Sequence, residues 1–345
     1  MLQHWNTSEY ALTPGDATSV APLVKIHGLA TDSHNDRILL TDVYLSSLTA
    51  WQWIVTHFQS HVQYVTSSQL VEPGIPTDEL GAQGFLEMSD SQQSAEVAAL
   101  RALGWRLPAT PAGAVVTGVV APSPARRAGI KVADRVVSVN GVGVSSACAM
   151  VSAVHGLAPG ARVRLSVEPA HITTAGVITW GSARTVSLTT AAEPRGLGTS
   201  YCAGVTGRDR SWLGVSLEDG QHYDLPALIS INTANIGGPS AGLAMALTLI
   251  DELSAGSLTG HAVVAATGTI SPTGMVGDVG GVAEKTVAVQ RAGADVFLVP
   301  SVEVATARAV AQPGLRIIGV TTLRGALRAL RSLGGAAPVP LTPPR

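Results

Sequence analysis

Ser240 occupies a position where a side-chain hydroxyl could act as a nucleophile. It follows Asn235-Ile236-Gly237-Gly238-Pro239, and from Ser240 to Ile250 the only polar side chains are those of Ser240 and Thr248. This run predicts a helix that is buried on nearly all sides, entered through two flexible glycines and a proline suited to the first turn. The hydroxyl would lie at a helix N-terminus, where free N–H groups favour negative charge. Catalysis and helix capping both fit this position.

Lys285 is the candidate general base. On a helix over Val282–Ala292 it shares a sector of about 120° with apolar side chains, while Glu284, Thr286, Gln290 and Arg291 take the other side. Burial would lower the lysine pKa from about 10.4 to about 7–8, on the order of 4 kcal/mol of desolvation. A neutral amine can accept the proton of a serine hydroxyl, as in Ser-Lys catalysis. The alternative is a buried stem whose ammonium reaches solvent.

Three further positions are candidates for binding the substrate or its oxyanion. The backbone N–H groups of Ser240 and Ala241 are natural oxyanion donors at a helix start, and Gly238 would let the substrate backbone approach closely. Asp278, in the glycine-rich loop before Lys285, would tune the amine or bind substrate backbone, or only shape a turn. A triad based on His261 would need a placed carboxylate, which the sequence does not identify.

Composition excludes several classes of function. The 345 residues are 46% hydrophobic and 13% charged, with a formal net charge of -2 and no basic cluster larger than Arg126-Arg127. A nucleic-acid partner is therefore not expected. None of the three lysines follows the P-loop spacing, so we expect no ATPase module. We also expect no cofactor and no metal. The two cysteines, Cys148 and Cys202, are too few and too far apart for a disulfide framework or a zinc site, and both are predicted to be ordinary buried or semi-buried thiols.

The pattern of elements predicts an α/β (α+β) chain in three parts. Residues 1–105 form an αβ region in which no chemistry is recognised, with strands at Ala21–His27 and Arg37–Leu45 and helices at Trp51–Phe58 and Ser89–Leu103. Residues 106–192 are mainly β, and residues 193–333 alternate strands and helices. The Pro- and Ala-rich residues 334–345 are predicted to be a disordered tail.

Residues 106–192 resemble a PDZ domain of the kind associated with bacterial proteases. The resemblance is carried by Ser123-Pro124-Ala125-x-x-Ala128-Gly129-Ile130 and by Asp134-Arg135-Val136-Val137-Ser138-Val139-Asn140-Gly141. One departure is Val132-Ala133-Asp134, where such domains usually have Pro-Gly-Asp. The resemblance implies capture of an extended peptide as an added strand. The alternative is a small, partly open barrel that only packs on its neighbour.

Residues 193–333 resemble the proteolytic domain of Lon-type serine peptidases. The matching motifs are Gly238-Pro239-Ser240-Ala241-Gly242, Thr267-Gly268-Thr269-Ile270 and Gly280-Gly281-Val282-Ala283-Glu284-Lys285, in the order and at close to the spacing of that family. The resemblance implies that Ser240 is the nucleophile and Lys285 the general base. It further implies that Thr267 forms a hydrogen bond near the lysine and orients it. Residues 1–105 are then expected to pack on the protease domain.

Together with Tyr10-Ala11-Leu12-Thr13-Pro14-Gly15, the two domains resemble the PDZ-containing Lon-like peptidases of bacteria. This implies an ATP-independent serine endopeptidase with polypeptide substrates, a homo-oligomeric ring, and a membrane tether with the domains outside the cytoplasm. The chain as given has no membrane helix before Tyr10 and no signal peptide, so we expect it to be soluble. The alternative function is a catalytically idle scaffold that binds peptides and uses the Lon-like domain for assembly.

Overall fold

The computed structural model describes residues 6–34, 36–58, 61–173, 177–194, 202, 210–234 and 236–344. Asn235, the first residue of the segment that leads to Ser240, lies outside the described residues, as do the first five residues of the chain. The described residues form a mixture of helices and strands, which confirms the predicted α/β class.

The described strands, in chain order, are β1 (Asn6–Ser19), β2 (Val24–His27), β3 (Arg37–Thr49), β4 (Gln63–Thr66), β5 (Ala109–Val119), β6 (Arg135–Val139), β7 (Val142–Gly143), β8 (Arg162–Glu168), β9 (Ala170–Ile172), β10 (Ile178–Trp180), β11 (Arg184–Thr189), β12 (Ala191–Ala192), β13 (Ser211–Trp212), β14 (Val215–Tyr223), β15 (Leu228–Ile231), β16 (Val263–Ala266), β17 (Thr269–Ile270), β18 (Val276–Gly277), β19 (Val296–Pro300) and β20 (Arg316–Val320). The described α-helices are α1 (Ala50–Thr56), α2 (Ser67–Leu70), α3 (Leu80–Ala102), α4 (Pro124–Arg127), α5 (Ala147–His155), α6 (Gly242–Glu252), α7 (Val282–Arg291), α8 (Val304–Val310) and α9 (Leu323–Ser332).

The chain divides into two compact units. The first contains Met1–Ser67, Glu87–Leu107 and Asp224–Arg345, and the second contains Ser68–Leu86 and Pro108–Tyr223. Strand β14, which the sequence analysis placed in the segment 193–333, therefore lies in the second unit. Helix α3 begins in the second unit and continues into the first. The sequence-based domain boundaries at 105, 192 and 333 stay predictions.

The first unit is built on one six-stranded sheet in the order β20-β19-β16-β3-β1-β4. Strand β16 pairs in parallel with β19 on one side and with β3 on the other, and β1 pairs antiparallel with both β3 and β4. Three of the six strands thus come from the first 67 residues, and β1 was not predicted from the sequence. This pairing places β3 beside β16, which leads directly to Thr267.

Helix α6 forms the buried centre of the first unit. Residues 242–251 of this helix are all buried, which confirms the prediction of a helix without a solvated face. The helix is preceded by a 3-10 turn over Pro239–Ala241, so the α-helix begins two residues after Ser240. Ser240 therefore lies in the entry turn and not within the regular helix.

The second unit is built on a sheet in the order β11-β8-β6-β5-β14, with β7 paired to β6. Asn140 and Gly141 have φ values of 52° and 84°, as expected for the tight turn between β6 and β7. Ala133 has a φ of 71°, a left-handed conformation that glycine adopts without strain. The departure from Pro-Gly-Asp therefore falls at a position whose backbone favours glycine. Strand β14 pairs with β5 at one end of this sheet.

The prediction of a disordered C-terminal tail is wrong, because backbone hydrogen bonds hold this segment. Ala336 N–H donates to Ser257 O at 2.7 Å, and Leu341 N–H donates to Leu253 O at 2.9 Å. Pro340 and Ser254 also form an isolated antiparallel β-bridge. A Pro- and Ala-rich composition suggested disorder, but the N–H groups of Ala336 and Leu341 find partners in the segment after α6, and this pairing orders the tail.

The prediction of two thiols is wrong, because Cys148 and Cys202 form a disulfide bond. Cys148 is exposed on α5, and 54 residues separate it from Cys202. No local pattern indicates this pairing, because the folded second unit, and not a short spacing, brings the two residues together. Disulfides of this kind are typical of proteins in oxidising compartments.

Within the part of the chain that the structure describes, no helix is both long and apolar enough to cross a membrane.

We predict that loss of the disulfide destabilises the second unit. Closing a loop of 54 residues removes entropy from the unfolded chain, so Cys148→Ser is expected to lower the free energy of unfolding by about 4 kcal/mol. Urea unfolding with and without a reducing agent measures this difference, and the reductant should have no further effect on Cys148→Ser. Detection of two free thiols in protein purified without reductant would contradict the assignment.

Candidate active site

The turn that carries Ser240 depends on two glycines. Gly238 has φ 89° and ψ 157°, a conformation that side-chain-bearing residues rarely adopt. At Gly242 an added Cβ would lie 2.7 Å from Ile270 Cγ2 and 2.8 Å from Ser91 Oγ. The first glycine therefore permits the sharp entry to the turn, and the second permits close packing behind it. The Ser240 side chain is left half-buried and not sealed in the core.

The Ser240 carbonyl is fixed by two donors from the segment after β16. Gly268 N–H donates to Ser240 O at 2.9 Å, and Thr267 Oγ1 donates to the same oxygen at 3.2 Å. Leu243 N–H in turn donates to Gly268 O at 3.1 Å. These reciprocal bonds fix the backbone of the Ser240 turn against the end of a central strand.

Lys285 lies on α7 and is 2% exposed. Its Nζ donates to Thr267 Oγ1 at 3.4 Å. Burial lowers the pKa of this amine to about 8, and the negative charges of Glu303 and Asp42 offset part of that effect. The predicted apolar stripe is therefore buried, but Glu284 and Thr286, which were placed on the opposite side, are buried as well. The helix is covered on more of its surface than its periodicity indicated.

Thr267 connects the other two residues. It is fully buried, accepts a hydrogen bond from the Lys285 amine and donates one to the Ser240 carbonyl. Among the described residues, Ser240 Oγ and Lys285 Nζ do not form a hydrogen bond with each other. Such contacts are often long in the absence of substrate and shorten when it binds. The structure thus brings the three residues of the sequence prediction into one connected cluster.

Two carboxylates near Lys285 were missed in the sequence analysis. Asp42 lies on β3, where its Oδ1 accepts from Asp16 N–H at 2.7 Å. Glu303 precedes α8, and its Oε1 accepts from Val279 N–H at 2.8 Å. Burial raises the pKa of both carboxyl groups. No motif marks either residue, because both reach the lysine through sheet pairing and helix packing.

The other candidates are less closely tied to this cluster. Asp278 is exposed, and its negative charge helps to raise the pKa of Glu303. Ala241 lies in the 3-10 turn, where i to i+3 bonding directs its N–H towards the Gly238 carbonyl. An oxyanion role for Ala241, Gly238 or Asp278 stays a prediction. His261 is 79% exposed, and its Nδ1 lies 3.7 Å from Asp36 Oδ1.

The described residues contain no group of three or more His, Cys, Asp or Glu side chains that could hold a metal ion.

The second unit contains a groove between α5 and the segment that enters β14. Its walls include Met150, Val151 and Val154 on the helix and residues 211–215 opposite them. Gly214 has a φ of 81°, and an added Cβ there would lie 2.3 Å from Ser123 Cβ. The carbonyls of residues 213 and 214 accept from Ala125 N–H and Val120 N–H at 2.9 and 3.0 Å. Within the described ranges, the N–H groups of residues 213 and 214 have no acceptor.

Comparison with known proteins finds two family models that match separate segments of the chain. Residues 93–170 match the family model of the PDZ domain, and residues 231–328 match that of the Lon protease (S16) C-terminal proteolytic domain. Lon protease 1 of Herpetosiphon aurantiacus is 39% identical over 87 residues, which are 25% of this chain and 10% of that protein. The chain therefore matches only about a tenth of that relative's length.

Among solved structures, the chain is similar to the PDZ domain of an SdrC-like protein from Listeria monocytogenes. The match covers 30% of this chain and 86% of that structure, with 14% identity and a TM-score of 0.23. Both family models fall on the segments whose motifs carried the sequence resemblance. The chain thus joins a PDZ domain to a Lon-type (S16) proteolytic domain.

Proposed function

We propose that the chain is a serine endopeptidase in which Ser240 is the nucleophile and Lys285 the general base. The observation that carries this proposal is the buried Lys285 amine, which is hydrogen-bonded to Thr267 while Thr267 holds the Ser240 carbonyl. A lysine with a pKa of about 8 is partly neutral near physiological pH and can accept a proton. None of the three lysines in this sequence lies in a P-loop motif, so the proposed mechanism assigns no ATP hydrolysis to these residues.

The reaction begins when Ser240 Oγ attacks the scissile carbonyl carbon and its proton passes to neutral Lys285 Nζ. The carbonyl oxygen becomes an oxyanion, which accepts a hydrogen bond from the Ser240 N–H at the entry to α6. Collapse of this intermediate breaks the C–N bond, and the Lys285 ammonium returns the proton to the leaving amine. A water molecule then hydrolyses the acyl-enzyme by the same route, and free Ser240 is regenerated.

Thr267 has two roles in this mechanism. Its hydroxyl oxygen accepts from Lys285 Nζ, which restricts the direction of the amine, and its hydroxyl proton is directed to the Ser240 carbonyl. Because one hydroxyl makes both bonds, movement of the lysine and of the Ser240 turn is coupled. We infer that Asp42 and Glu303 adjust the lysine pKa from a distance, since their charges oppose the effect of burial.

The PDZ domain is proposed to capture polypeptide substrates through the groove of the second unit. Strand β14 lies at one end of its sheet, where an extended peptide could pair as a further strand. The N–H groups at 213 and 214 are oriented by a glycine with positive φ, an arrangement that binds carboxylates. Apolar side chains of α5 would receive the last residue of the peptide.

The disulfide and the family resemblance together support a location outside the cytoplasm, where such bonds persist. A membrane tether and assembly into a ring are part of the same proposal and rest on the resemblance alone.

We predict that Ser240→Ala and Lys285→Met each lower the turnover of fluorescein-labelled casein by at least about 10³-fold, because each removes one half of the nucleophile–base pair. Methionine retains the buried volume of the lysine stem, so both variants should keep the circular dichroism spectrum of the wild type. The matched controls are Ser332→Ala and Lys25→Met, which replace exposed residues of the same unit and should leave turnover unchanged.

Turnover above a tenth of the wild-type rate in either active-site variant would contradict this mechanism. Wild-type protein that binds peptides but never cleaves them would favour the idle scaffold instead.

We predict that the groove binds a fluorescein-labelled hexapeptide ending in valine at least about 10-fold more tightly when its C-terminus is a free carboxylate than when it is an amide. The amide loses the charge-assisted hydrogen bonds from the N–H groups of residues 213 and 214. Val151→Asp should weaken binding by a similar factor, since it places a negative charge in the groove wall. Ser152→Asp adds the same charge at an exposed position of α5 and should have no such effect. Fluorescence anisotropy that shows equal affinity for the acid and the amide would rule out carboxylate recognition here.

A further inference from the structure

Ser91 on α3 contacts the turn that carries Ser240. Its side chain is buried, at 4% exposure, and its Oγ donates to Pro239 O at 2.9 Å. The next residue of the helix, Gln92, donates from Nε2 to Thr233 Oγ1 at 3.1 Å. Two adjacent polar side chains of one helix therefore hold both ends of the segment 233–239. This segment contains Gly237 and Gly238, whose backbone would otherwise be free to vary.

The bond from Ser91 fixes the orientation of the peptide plane between Pro239 and Ser240. Cis bonds in the described residues are confined to Ala121-Pro122, so this peptide is trans, and its C=O and N–H point in opposite directions. The carbonyl accepts from Ser91 Oγ and also from Gly242 N–H. The Ser240 N–H must therefore point away from α3, and among the described residues it has no acceptor.

Packing leaves Ser91 Oγ little freedom to move. An added Cβ at Gly242 would lie 2.8 Å from this oxygen, so the start of α6 is in close contact with the hydroxyl. The hydrogen bond from Ser91 to Pro239 thus joins α3 to the turn before α6, two segments whose separation is already set by their packing. A residue without the hydroxyl would leave the Pro239 carbonyl with the Gly242 N–H alone, and the peptide plane could then rotate.

We propose that Ser91 is a positioning residue that orients the Ser240 N–H towards the oxyanion of the reaction. The inference rests on the proposed Ser240 mechanism and adds a residue from the N-terminal part of the chain, where the sequence analysis found no chemistry. Ser91 does not touch the substrate. It acts through the Pro239–Ser240 peptide, and its contribution is made in the transition state, when negative charge develops on the carbonyl oxygen.

The test compares Ser91→Ala with the wild type in the full chain. We expect kcat on a peptide substrate to fall about 10- to 100-fold, while KM stays within about 3-fold of the wild-type value. This decrease in kcat is no larger than the decrease expected when a whole oxyanion donor is removed. Affinity for a peptide boronate, whose tetrahedral oxygen mimics the oxyanion, should fall by the same factor as kcat/KM. The pH midpoint of the rate should not move, because Lys285 is untouched.

Two variants separate positioning from stability. Ser94→Ala makes the same change three residues further along α3, at a partly exposed position, and should behave as the wild type. Ser91→Thr retains the hydroxyl and should recover most of the lost kcat. Wild-type kcat and boronate affinity in Ser91→Ala, with Ser240→Ala inactive, would overturn this inference and leave the proposed function intact.

If Ser91→Ala lowers activity only in proportion to a lower melting temperature, and Ser91→Thr does not recover it, Ser91 has a purely structural role. That result would also overturn the inference. Absence of turnover in the wild type would instead remove the proposed function on which the inference rests.

Discussion

The Lys285 ammonium loses nearly all of its hydration when α7 packs into the first unit, and a charged amine is costly in that environment. Its pKa falls to about 8 for this reason, and the residue becomes able to act as a base. The same burial limits its partners to the groups that the surrounding elements present. In the part of the chain that the structure describes, its amine donates a hydrogen bond to Thr267 Oγ1. Because Thr267 also holds the Ser240 carbonyl, burial of the lysine is coupled to the position of the turn that carries Ser240.

This arrangement depends on the order of strands in the sheet. Thr267 follows β16, and β16 lies between β19 and β3. Strand β3 brings Asp42 near the lysine, while α3 brings Ser91 to the turn before Ser240. The N-terminal residues are therefore part of the protease fold, since their strands complete its sheet and their side chains contact the reactive turn. A truncated chain without them would expose the edge of β16 and lose these contacts.

Local signals were enough to make Ser240 and Lys285 candidates and to predict their burial. The apolar run after Ser240 indicated a buried helix, and the position of Lys285 within an apolar stripe indicated burial of its amine; both inferences need only the helical period. Thr267 came from motif resemblance. Asp42, Ser91 and Glu303 could not be found in this way, because they reach the site through pairing between distant segments. The disulfide of Cys148 and the ordering of Leu341 depend in the same way on contacts that composition does not report.

The most direct measurement is the rate at which a fluorophosphonate probe reacts with the full chain as a function of pH, with the modified residue identified by mass spectrometry. Our account predicts modification at Ser240, at a rate that rises with pH through a midpoint near 8, since only the neutral Lys285 amine can accept the serine proton. In Lys285→Met this pH-dependent reaction should be lost. Modification at another residue, or a rate at Ser240 that is the same in the wild type and in Lys285→Met, would contradict the account.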